Sequence, residues 1–396
     1  MKDCGVLIAG GGLAGQRCAE TLRRRGYEGA VRILCGESEP PYDRPPLSKA
    51  VLAGTAEEGS VAFRPAAWYE ENEVELLLGM RAEGLEPGAR LVVLAGGEPL
   101  PYGKLLIASG GEPRRLPFLE GFENVHYLRT LADSRRLRAE LARGVRLAIV
   151  GAGFIGQEVA ATALGLGAEV TIVEAMEVPL APILGAELGR WFADLHREEG
   201  ARLLTGAMLE GARGGERVEQ LLLADGSAID CDLVVAGIGT VPATDWLRGS
   251  GLGEHGVEVD VHGRTALPDV FAAGDASIPF DPRFRAHART EHWDAAAWQG
   301  AAAARAMLGE DPGTPPLPSF WSDQYGVRIQ SVGHPHHGDG VALDGDPAGR
   351  DFEAVFLRAG APVAGLTVGR PRAIPALRKR IEAGHRAALE KEEVPA

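Results

Sequence analysis

Three observations predict that this sequence folds as an α/β protein with two βαβ units and a small α+β domain at its carboxyl end. A glycine-rich turn at 10–15 follows an apolar run and precedes a helical pattern. The same arrangement recurs at 151–156. After a proline-rich segment at 310–319, short alternating runs precede a helical pattern over 375–393. Strands that alternate with helices are typical of parallel sheets with helices packed on their faces.

The first glycine turn lies in VLIAGGGLAGQRCAE, residues 6–20. In such a turn Gly10 permits the tight bend, Gly12 lets a pyrophosphate approach the backbone, and Gly15 lets the helix pack on the strand. The pyrophosphate then meets the helix N-terminus, where free N–H groups favour an anion. Glu37 follows the second strand (VRILC, 31–35) and can accept a hydrogen bond from a ribose hydroxyl. The segment therefore predicts a dinucleotide site.

A second complete pattern, RLAIVGAGFIGQEVAATALGLGAEVTIVEA, occupies residues 146–175. Gly151, Gly153 and Gly156 take the three glycine positions, and the following strand ends at Glu174. A carboxylate there holds an adenosine ribose and repels a 2′-phosphate, and Glu177 adds further negative charge. The second site is therefore predicted to bind NADH rather than NADPH, and the chain to contain two Rossmann-like dinucleotide-binding domains.

Charge, apolar runs and cysteine spacing argue against several classes of partner and location. The 396 residues carry a formal net charge of −14, which disfavours nucleic acid and anionic membranes. No run of about 18 apolar residues occurs, so no membrane insertion is expected. The amino terminus does not resemble a signal peptide, and the four cysteines lack metal-binding spacing. We expect a cytoplasmic protein with small buried thiols.

The stretch PPYDRPPLSKA, residues 40–50, combines four prolines with two cations, Arg44 and Lys49. Proline fixes φ and lacks a backbone donor, so the stretch is predicted to be a stiffened loop rather than a helix or a strand.

The histidine-rich stretch HPHHGDG, residues 334–340, is predicted to be an exposed loop. Three histidines in four residues cannot easily face one ion, and no carboxylate spacing supports a site. No metal is therefore expected.

Two further segments, together with the glycine turns, indicate a resemblance to a known superfamily. LLIASGGEPRRLP (105–117) and TALPDVFAAGDAS (265–277) resemble segments of the two-dinucleotide-domain flavoprotein reductases of the glutathione reductase superfamily. The resemblance implies FAD at the first site, with Asp275 on its ribityl chain; a plain helix N-cap is the alternative for this residue. The chain has no cysteine between Cys35 and Cys231, so it lacks the redox-active thiols of the disulphide reductases.

Three separate stretches indicate which branch of this superfamily the chain resembles. YDRPPLSK (42–49), the pattern E-x-W at 291–293 and FWSDQYGVRIQSVG (320–333) resemble the NADH-dependent ferredoxin reductases of bacterial oxygenase systems, of the putidaredoxin reductase and biphenyl dioxygenase reductase type. The resemblance implies that electrons pass from NADH through FAD to a [2Fe–2S] ferredoxin. A carboxyl-terminal domain would cover the flavin with Trp321.

The motifs and the resemblance together predict the site residues. The FAD contacts are Gly10, Gly12, Leu13, Ala14, Gly15, Glu37, Arg44, Lys49, Ala82, Ser109, Gly110, Arg114, Arg129, Asp275, Trp293 and Trp321. The NAD contacts are Gly151, Gly153, Phe154, Ile155, Gly156, Glu158, Glu174, Gly237, Ile238 and Gly239. Lys49 and Glu158 are the predicted catalytic pair, joined by an ion pair that holds nicotinamide and flavin in stacking geometry. The alternative for Glu158 is a solvated helix residue.

The domain boundaries follow from the positions of the motifs. An FAD-binding domain is predicted at 1–110 and 242–313, an NAD-binding domain at 111–241 and an α+β domain at 314–396. Within the NAD domain, 221–242 is predicted to form a hairpin followed by a return strand.

A docking surface for an acidic ferredoxin is predicted at DPRFRAHART, residues 281–290. Arg283, Arg285 and Arg289 stand there against one acid, Asp281, in an otherwise acidic chain. Complementary charge speeds encounter and orients partners. The alternative is a solvated loop. We expect a monomer or a weak homodimer.

Other functions fit the same scaffold. A rubredoxin reductase, an NADH oxidase or a quinone reductase would use the same two cofactors. A non-catalytic NADH-sensing protein similar to apoptosis-inducing factor is a further alternative. The compact chain, which starts directly at its first strand, argues against that last class.

Overall fold

The structure, a computed structural model, describes residues 4–253, 255–283 and 285–392. Their contacts divide the chain into two compact units. The first unit comprises the described residues of 1–43, 61–112 and 241–319, and the second those of 44–60, 113–240 and 320–396. The predicted domain boundaries remain a prediction. Residue 393, the last of the predicted helical stretch, lies outside the described residues.

The regular elements of the described residues are numbered in chain order. The α-helices are α1 Leu13–Arg24, α2 Ala50–Ala53, α3 Ala66–Glu71, α4 Leu131–Glu140, α5 Phe154–Gly165, α6 Ala181–Glu198, α7 Trp293–Met307 and α8 Ile374–Glu392. The strands are β1 Val6–Ala9, β2 Val31–Leu34, β3 Val74–Leu77, β4 Ala82–Glu86, β5 Leu91–Leu94, β6 Leu100–Pro101, β7 Lys104–Ile107, β8 Gly111–Pro113, β9 Val125–His126, β10 Arg146–Val150, β11 Glu169–Val173, β12 Arg202–Leu204, β13 Leu209–Gly214, β14 Val218–Leu223, β15 Ala228–Asp230, β16 Leu233–Ala236, β17 Thr240–Pro242, β18 Val257–Val259, β19 Val270–Ala272, β20 Ser277–Asp281, β21 Ala286–His287, β22 Ser319–Gln324, β23 Val327–Gly333, β24 Gly340–Asp346, β25 Asp351–Arg358 and β26 Ala361–Val368.

The first unit is built on a five-stranded parallel sheet in the order β19-β7-β1-β2-β3. Every residue of β1 is buried, which is typical of a parallel strand covered on both faces. One apolar cluster, which includes Val6 and Ile8, packs with α1 and α7, while Leu7 belongs to a second cluster. The strand therefore sends alternate side chains into two cores.

The second unit contains a sheet of the same kind, in the order β12-β11-β10-β16-β9, again all parallel. The antiparallel pair β14 and β15 precedes β16, which returns to the sheet beside β10. The predicted hairpin and return strand are confirmed. Two parallel sheets, each with a glycine turn after a central strand, confirm the predicted pair of Rossmann-like folds.

The carboxyl-terminal region forms a five-stranded sheet in the order β22-β23-β26-β25-β24, and α8 packs against it. The predicted alternating runs, VRIQSVG (327–333), FEAVFLR (352–358) and PVAGLTVG (362–369), correspond to β23, β25 and β26. Ala359 and Gly360, with φ of 49° and 78°, form the tight turn between β25 and β26. The α+β prediction is confirmed.

The prediction for residues 40–50 was wrong in one respect, because part of the stretch is helical. Pro45–Ser48 forms a 3₁₀ turn and α2 begins directly after Lys49. Proline at the first positions of a helical turn loses no hydrogen bond, since those N–H groups have no partner within the turn. The prolines thus start a helical turn instead of preventing one.

The prediction of an exposed loop at 334–340 was also wrong in part. Pro335–His337 forms a 3₁₀ turn, and both His334 and Pro335 are buried. Gly333 has a φ of +86°, and a Cβ there would lie 2.5 Å from the carbonyl oxygen of Val363. Only glycine suits that conformation, which brings the turn against the neighbouring strand.

Among the described residues, no helix is both long enough and apolar enough to cross a membrane.

Candidate functional site

The first glycine turn has the geometry that a pyrophosphate cradle requires. Gly10 has a φ of +134°, and a Cβ on it would lie 2.0 Å from the carbonyl oxygen of Ala108. A Cβ on Gly15 would lie 2.1 Å from the carbonyl oxygen of Gly10, so helix and strand approach as only glycine allows. Gly12, the N-cap of α1, would direct a Cβ into open space. The open position lies in front of the helix N-terminus and fits a bound phosphate.

The second glycine turn repeats this arrangement. A Cβ on Gly156 would lie 2.3 Å from the carbonyl oxygen of Gly151, whereas the nearest heavy atom to a Cβ on Gly153, the N-cap of α5, would be 3.9 Å away. Gly237 packs on the turn: its carbonyl oxygen is 2.6 Å from a Cβ placed on Gly151. Gly239 has a φ of +96°. The two glycine segments that were predicted to contact NAD, 151–156 and 237–239, therefore lie next to each other.

The two residues after Gly153 play different structural parts. Phe154 packs edge-on against Phe192, with ring centroids 5.9 Å apart, and also contacts Phe320 at 4.7 Å. Ile155 is exposed at the start of α5. Ile155, unlike Phe154, therefore does not contribute to the hydrophobic core.

Glu174 is buried, and both of its carboxylate oxygens hold the backbone. Oε2 accepts the N–H of Ala152 at 2.7 Å, and Oε1 accepts that of Met176 at 2.8 Å. The sequence analysis did not predict that the Glu174 carboxylate would be hydrogen-bonded to the backbone of the glycine turn. A carboxylate can accept about four hydrogen bonds, so capacity for a ribose remains. In the first unit, half-buried Glu37 accepts the hydroxyl of Tyr42 at 2.5 Å.

Asp275 lies beside the first glycine turn, in the 3₁₀ turn Gly274–Ala276 that follows β19. The N–H of Gly274 donates to Oε1 of Gln299 at 2.7 Å, and a Cβ on Gly274 would lie 3.3 Å from that of Ala14. Gly300 of α7 approaches the same point, because a Cβ on it would lie 2.1 Å from the carbonyl oxygen of Ala14. Close packing on α1 therefore fixes the Asp275 turn.

The remaining predicted residues of the first unit lie on separate elements. Trp293 begins α7, and its Nε1 donates to Oδ1 of Asp43 at 2.7 Å. Ser109 Oγ donates to the carbonyl oxygen of Ala243 at 2.7 Å. Gly110 accepts the N–H of Ala243 at 2.9 Å. Ala82 begins β4 in the separate sheet β4-β5-β6.

The predicted ion pair between Lys49 and Glu158 is confirmed. Nζ of Lys49 lies 2.6 Å from Oε2 of Glu158, and the two side chains are 17% and 3% exposed. Ser48 donates to Oε2 at 2.6 Å and Ser322 donates to Oε1 at 2.7 Å. Sequence reasoning missed both serines, although Ser48 directly precedes Lys49. The alternative of a solvated Glu158 is wrong.

The Glu158 site continues into a buried polar network. Nε2 of Gln324 donates to Ser322 Oγ at 3.0 Å. Burial lowers the pKa of His196 to about 4. The Nδ1 of His196 is 2.6 Å from the hydroxyl of Tyr325. His196 is therefore neutral at physiological pH.

Residues 44–60 interrupt the first unit in sequence but are tied to the second. Ser134 donates to the carbonyl oxygen of Leu47 at 2.8 Å, and Thr162 to that of Ser48 at 2.7 Å. Nη1 of Arg44 donates to the carbonyl oxygen of Arg129 at 2.5 Å. These bonds, together with the ion pair, hold the segment on α4 and α5.

Three further predicted residues belong to the second unit. The N–H of Arg129 donates to Oδ2 of Asp133, whose carboxylate also caps α4. The N–H of Arg114 donates to the carbonyl oxygen of Gly239 at 2.9 Å, and its side chain is exposed. Trp321 is half-buried on β22. Its contact with a flavin stays a prediction.

The three predicted docking arginines differ in their surroundings. Arg283 is paired with Asp281, at 2.7 Å from Nη2 to Oδ2, and both side chains are 13% exposed. Arg289 is paired with Glu291. Arg285 is exposed and has a φ of 50°. Sequence counting therefore overstated the basic character of the segment.

The thiols carry no signature of redox function. Burial raises the pKa of Cys35 to about 12 and that of Cys231 to about 11, and it also raises the pKa of Cys18. A protonated thiol is a poor nucleophile. The prediction of small buried thiols is confirmed for these three, while Cys4 is only partly buried.

Known proteins resemble this chain over almost its whole length. A family model described as pyridine nucleotide-disulphide oxidoreductase matches residues 5–300, and one described as reductase C-terminal matches residues 319–393. The 5,5′-dehydrodivanillate O-demethylase ferredoxin reductase subunit of Sphingobium sp. strain SYK-6 is 40% identical over 93% of this chain and 90% of that protein. The anthranilate 1,2-dioxygenase system ferredoxin–NAD(+) reductase component of Burkholderia cepacia is 39% identical over 96% and 94%.

A solved structure with a similar fold supports this resemblance. A chain of the covalent putidaredoxin reductase–putidaredoxin complex superposes with a TM-score of 0.92 at 33% identity. The superposition covers 95% of this chain and 92% of that one.

Replacement of Lys49 by methionine should lower the free energy of unfolding by about 3 kcal/mol or more, because Glu158 loses its buried counter-charge. Adding Glu158→Gln should recover part of the loss, so that the two changes are strongly non-additive. Urea unfolding of the two single variants and the double variant measures this coupling.

The exposed pair Arg115 and Glu120, with side chains 61% and 45% exposed, is the matched control. Arg115→Met should cost less than about 1 kcal/mol. Equal losses for Lys49→Met and Arg115→Met would contradict a buried charge pair.

Proposed function

Because this chain belongs to the pyridine nucleotide-disulphide oxidoreductase family, we propose that it is an NADH-dependent reductase that delivers electrons through FAD to a [2Fe–2S] ferredoxin serving an oxygenase. The chain is an oxidoreductase, and FAD and NADH are its cofactors. The observation that carries the proposal is the presence of two glycine turns with open phosphate positions in a chain that matches ferredoxin reductase components along nearly all of its length.

Both cradles fit the diphosphate of a dinucleotide. The chemistry that FAD would supply when bound is acceptance of a hydride from NADH and release of single electrons, as an iron–sulphur acceptor requires. The chain's own residues would position the cofactors: Gly12 and the N-terminus of α1 would hold one pyrophosphate, and Gly153 with the N-terminus of α5 would hold the other. Close backbone packing at Gly10 and Gly151 keeps both cradles preformed.

Glu174 supports a preference for NADH. Its two oxygens already hold Ala152 and Met176, so the carboxylate is fixed in place before ligand arrives. Its remaining lone pairs would accept the ribose hydroxyls, while its charge would repel a 2′-phosphate. Glu177 lies on the same loop, close to Gly206, and strengthens that repulsion.

The buried pair of Lys49 and Glu158 is proposed to act where nicotinamide meets flavin. Two serines and one ammonium hold the carboxylate, so the ion pair cannot reorient without breaking several bonds. A preorganised cation stabilises negative charge that develops beside it without reorganisation during the reaction. The pair would thereby favour hydride transfer.

Lys49→Met should slow reduction of the bound flavin by NADH more than about tenfold, equivalent to roughly 1.4 kcal/mol. Anaerobic stopped-flow absorbance of the FAD-loaded protein measures the rate, and Arg115→Met is the control with an equal charge change. A smaller slowing in fully FAD-loaded Lys49→Met protein would remove Lys49 from the catalytic site.

The acceptor is tested by anaerobic NADH oxidation with and without a small [2Fe–2S] ferredoxin. A large ferredoxin-dependent rate that falls with salt is expected, since charge complementarity governs such encounters. Rapid flavin reduction without electron transfer to the ferredoxin would refute the proposed acceptor. Rubredoxin, quinone and oxygen would then be tested on the same preparation.

The ferredoxin is proposed to be acidic and to contact Arg285, the exposed arginine of the three. Arg283 and Arg289 are engaged by neighbouring carboxylates and contribute less net charge to the surface. The reductase itself is proposed to be a monomer or a weak homodimer.

Arg285→Glu should raise the apparent KM for ferredoxin by about tenfold and reduce its salt dependence, because the charge reversal repels an acidic partner. Steady-state ferredoxin reduction at several salt concentrations measures both effects. Arg372→Glu makes the same charge change at an exposed site outside this segment. If both variants behave alike, local docking at Arg285 is excluded.

A further inference from the structure

The 3₁₀ turn of HPHHGDG gathers three histidines at one point. One ring nitrogen from each of His334, His336 and His337 lies within 4.8 Å of the other two. Within the described residues, no other group of three or more His, Cys, Asp or Glu side chains converges in this way. The cluster plays no part in the redox function proposed above.

The backbone of the cluster is fixed on both sides. Within the turn, the N–H of His337 donates to the carbonyl oxygen of His334 at 3.1 Å, and that of Gly338 donates to Pro335 at 2.9 Å. Gly333 precedes the turn in a left-handed conformation that only glycine adopts without strain. The three Cα positions are therefore set before any ligand binds.

The helical period explains why neighbouring histidines converge. In a 3₁₀ turn residues i and i+3 eclipse, so His334 and His337 lie on one side, with ring centroids 5.5 Å apart. The ring of His336 lies 4.3 Å from that of His337. The expectation that three histidines in four residues could not approach one ion overlooked this geometry.

Burial divides the cluster into a fixed base and an open side. His334 is 8% exposed, His337 is half-buried and His336 is exposed. Nitrogen ligands of a tetrahedral zinc ion lie about 3.4 Å apart, given bonds of about 2.0–2.1 Å. The ring nitrogens lie within 4.8 Å of one another, so side-chain rotation would have to shorten their separations to ligand spacing.

The donor set selects the class of metal. Imidazole nitrogens suit zinc, nickel and copper, whereas magnesium and calcium require oxygen ligands. The nearby acid Asp339 uses its Oδ2 to accept the N–H of Ala359 at 2.9 Å, which ties it to the β25–β26 turn. We propose that His334, His336 and His337 bind one borderline divalent metal ion of the Zn²⁺ class, with water in the open position.

The test is calorimetric titration of the chelator-treated, FAD-loaded protein with Zn²⁺. One saturable site is expected. His336→Ala and His337→Ala should each weaken binding at least tenfold, because loss of outer-sphere partners alone costs about 10–100-fold and these residues are proposed ligands. Both residues lie outside the core, so their replacement leaves the fold intact; His334 is not chosen because it is buried.

His255→Ala, which removes an exposed histidine elsewhere, is the matched control and should bind Zn²⁺ like the parent protein. Mg²⁺ should give no saturable binding. Zn²⁺ should also raise the melting temperature of the parent and of His255→Ala, but not of His336→Ala. Zn²⁺ binding that is absent, or equally strong in all variants and therefore adventitious, would overturn the assignment. The absorbance of bound FAD reports separately that the redox site is intact.

Discussion

Close approach of backbone to backbone is the constraint on which both nucleotide cradles depend. At Gly10 and Gly15, and again at Gly151 and Gly156, a Cβ would collide with a carbonyl oxygen at 2.0 to 2.6 Å. Each helix therefore starts immediately behind its strand, with its N-terminal N–H groups at the carboxyl edge of the sheet. A larger side chain at Gly15 or Gly156 would push the helix away from the turn, and one at Gly10 or Gly151 would push the turn away from Ala108 or Gly237. Either displacement would disturb the phosphate position.

A buried charge imposes the second constraint. Glu158 lies on α5 directly after the second glycine turn, where burial of an uncompensated carboxylate would be costly. Lys49, Ser48 and Ser322 compensate it, and the first two come from the segment 44–60. The same carboxylate thus helps to hold that segment in the second unit, together with the backbone carbonyls that accept from Ser134 and Thr162. The prolines that start its 3₁₀ turn limit the other conformations that the segment can adopt.

Polar groups with structural duties also occupy several predicted ligand positions. Glu174 joins a strand end to the glycine turn, and Ser109 and Gly110 both bond to Ala243. Preorganisation of this kind lets binding groups keep their position when the ligand leaves. At Arg283, by contrast, a structural contact weakens a predicted binding role. Its ion pair with Asp281 neutralises a positive charge that the sequence analysis had assigned to the docking surface.

The sequence by itself determined the two parallel-sheet folds, the hairpin and return strand, and the α+β character of the carboxyl-terminal region. Local patterns carry that information: glycines at fixed spacing after apolar runs, and alternation in short strands. The sequence also pointed to Lys49 and Glu158 as partners, through a resemblance rather than through spacing, since 109 positions separate them.

Tertiary structure alone decided the other polar pairings. Ser322 reaches Glu158 from a distant strand, Arg283 and Arg289 are paired with carboxylates, and three histidines converge on one turn. None of these outcomes follows from hydrophobic periodicity, because a hydrogen bond or an ion pair requires a distance of about 3 Å between two polar atoms, and the backbone conformation and packing of the folded chain set that distance. Periodicity encodes the faces of helices and strands, and the packed chain sets the contacts made by individual polar atoms.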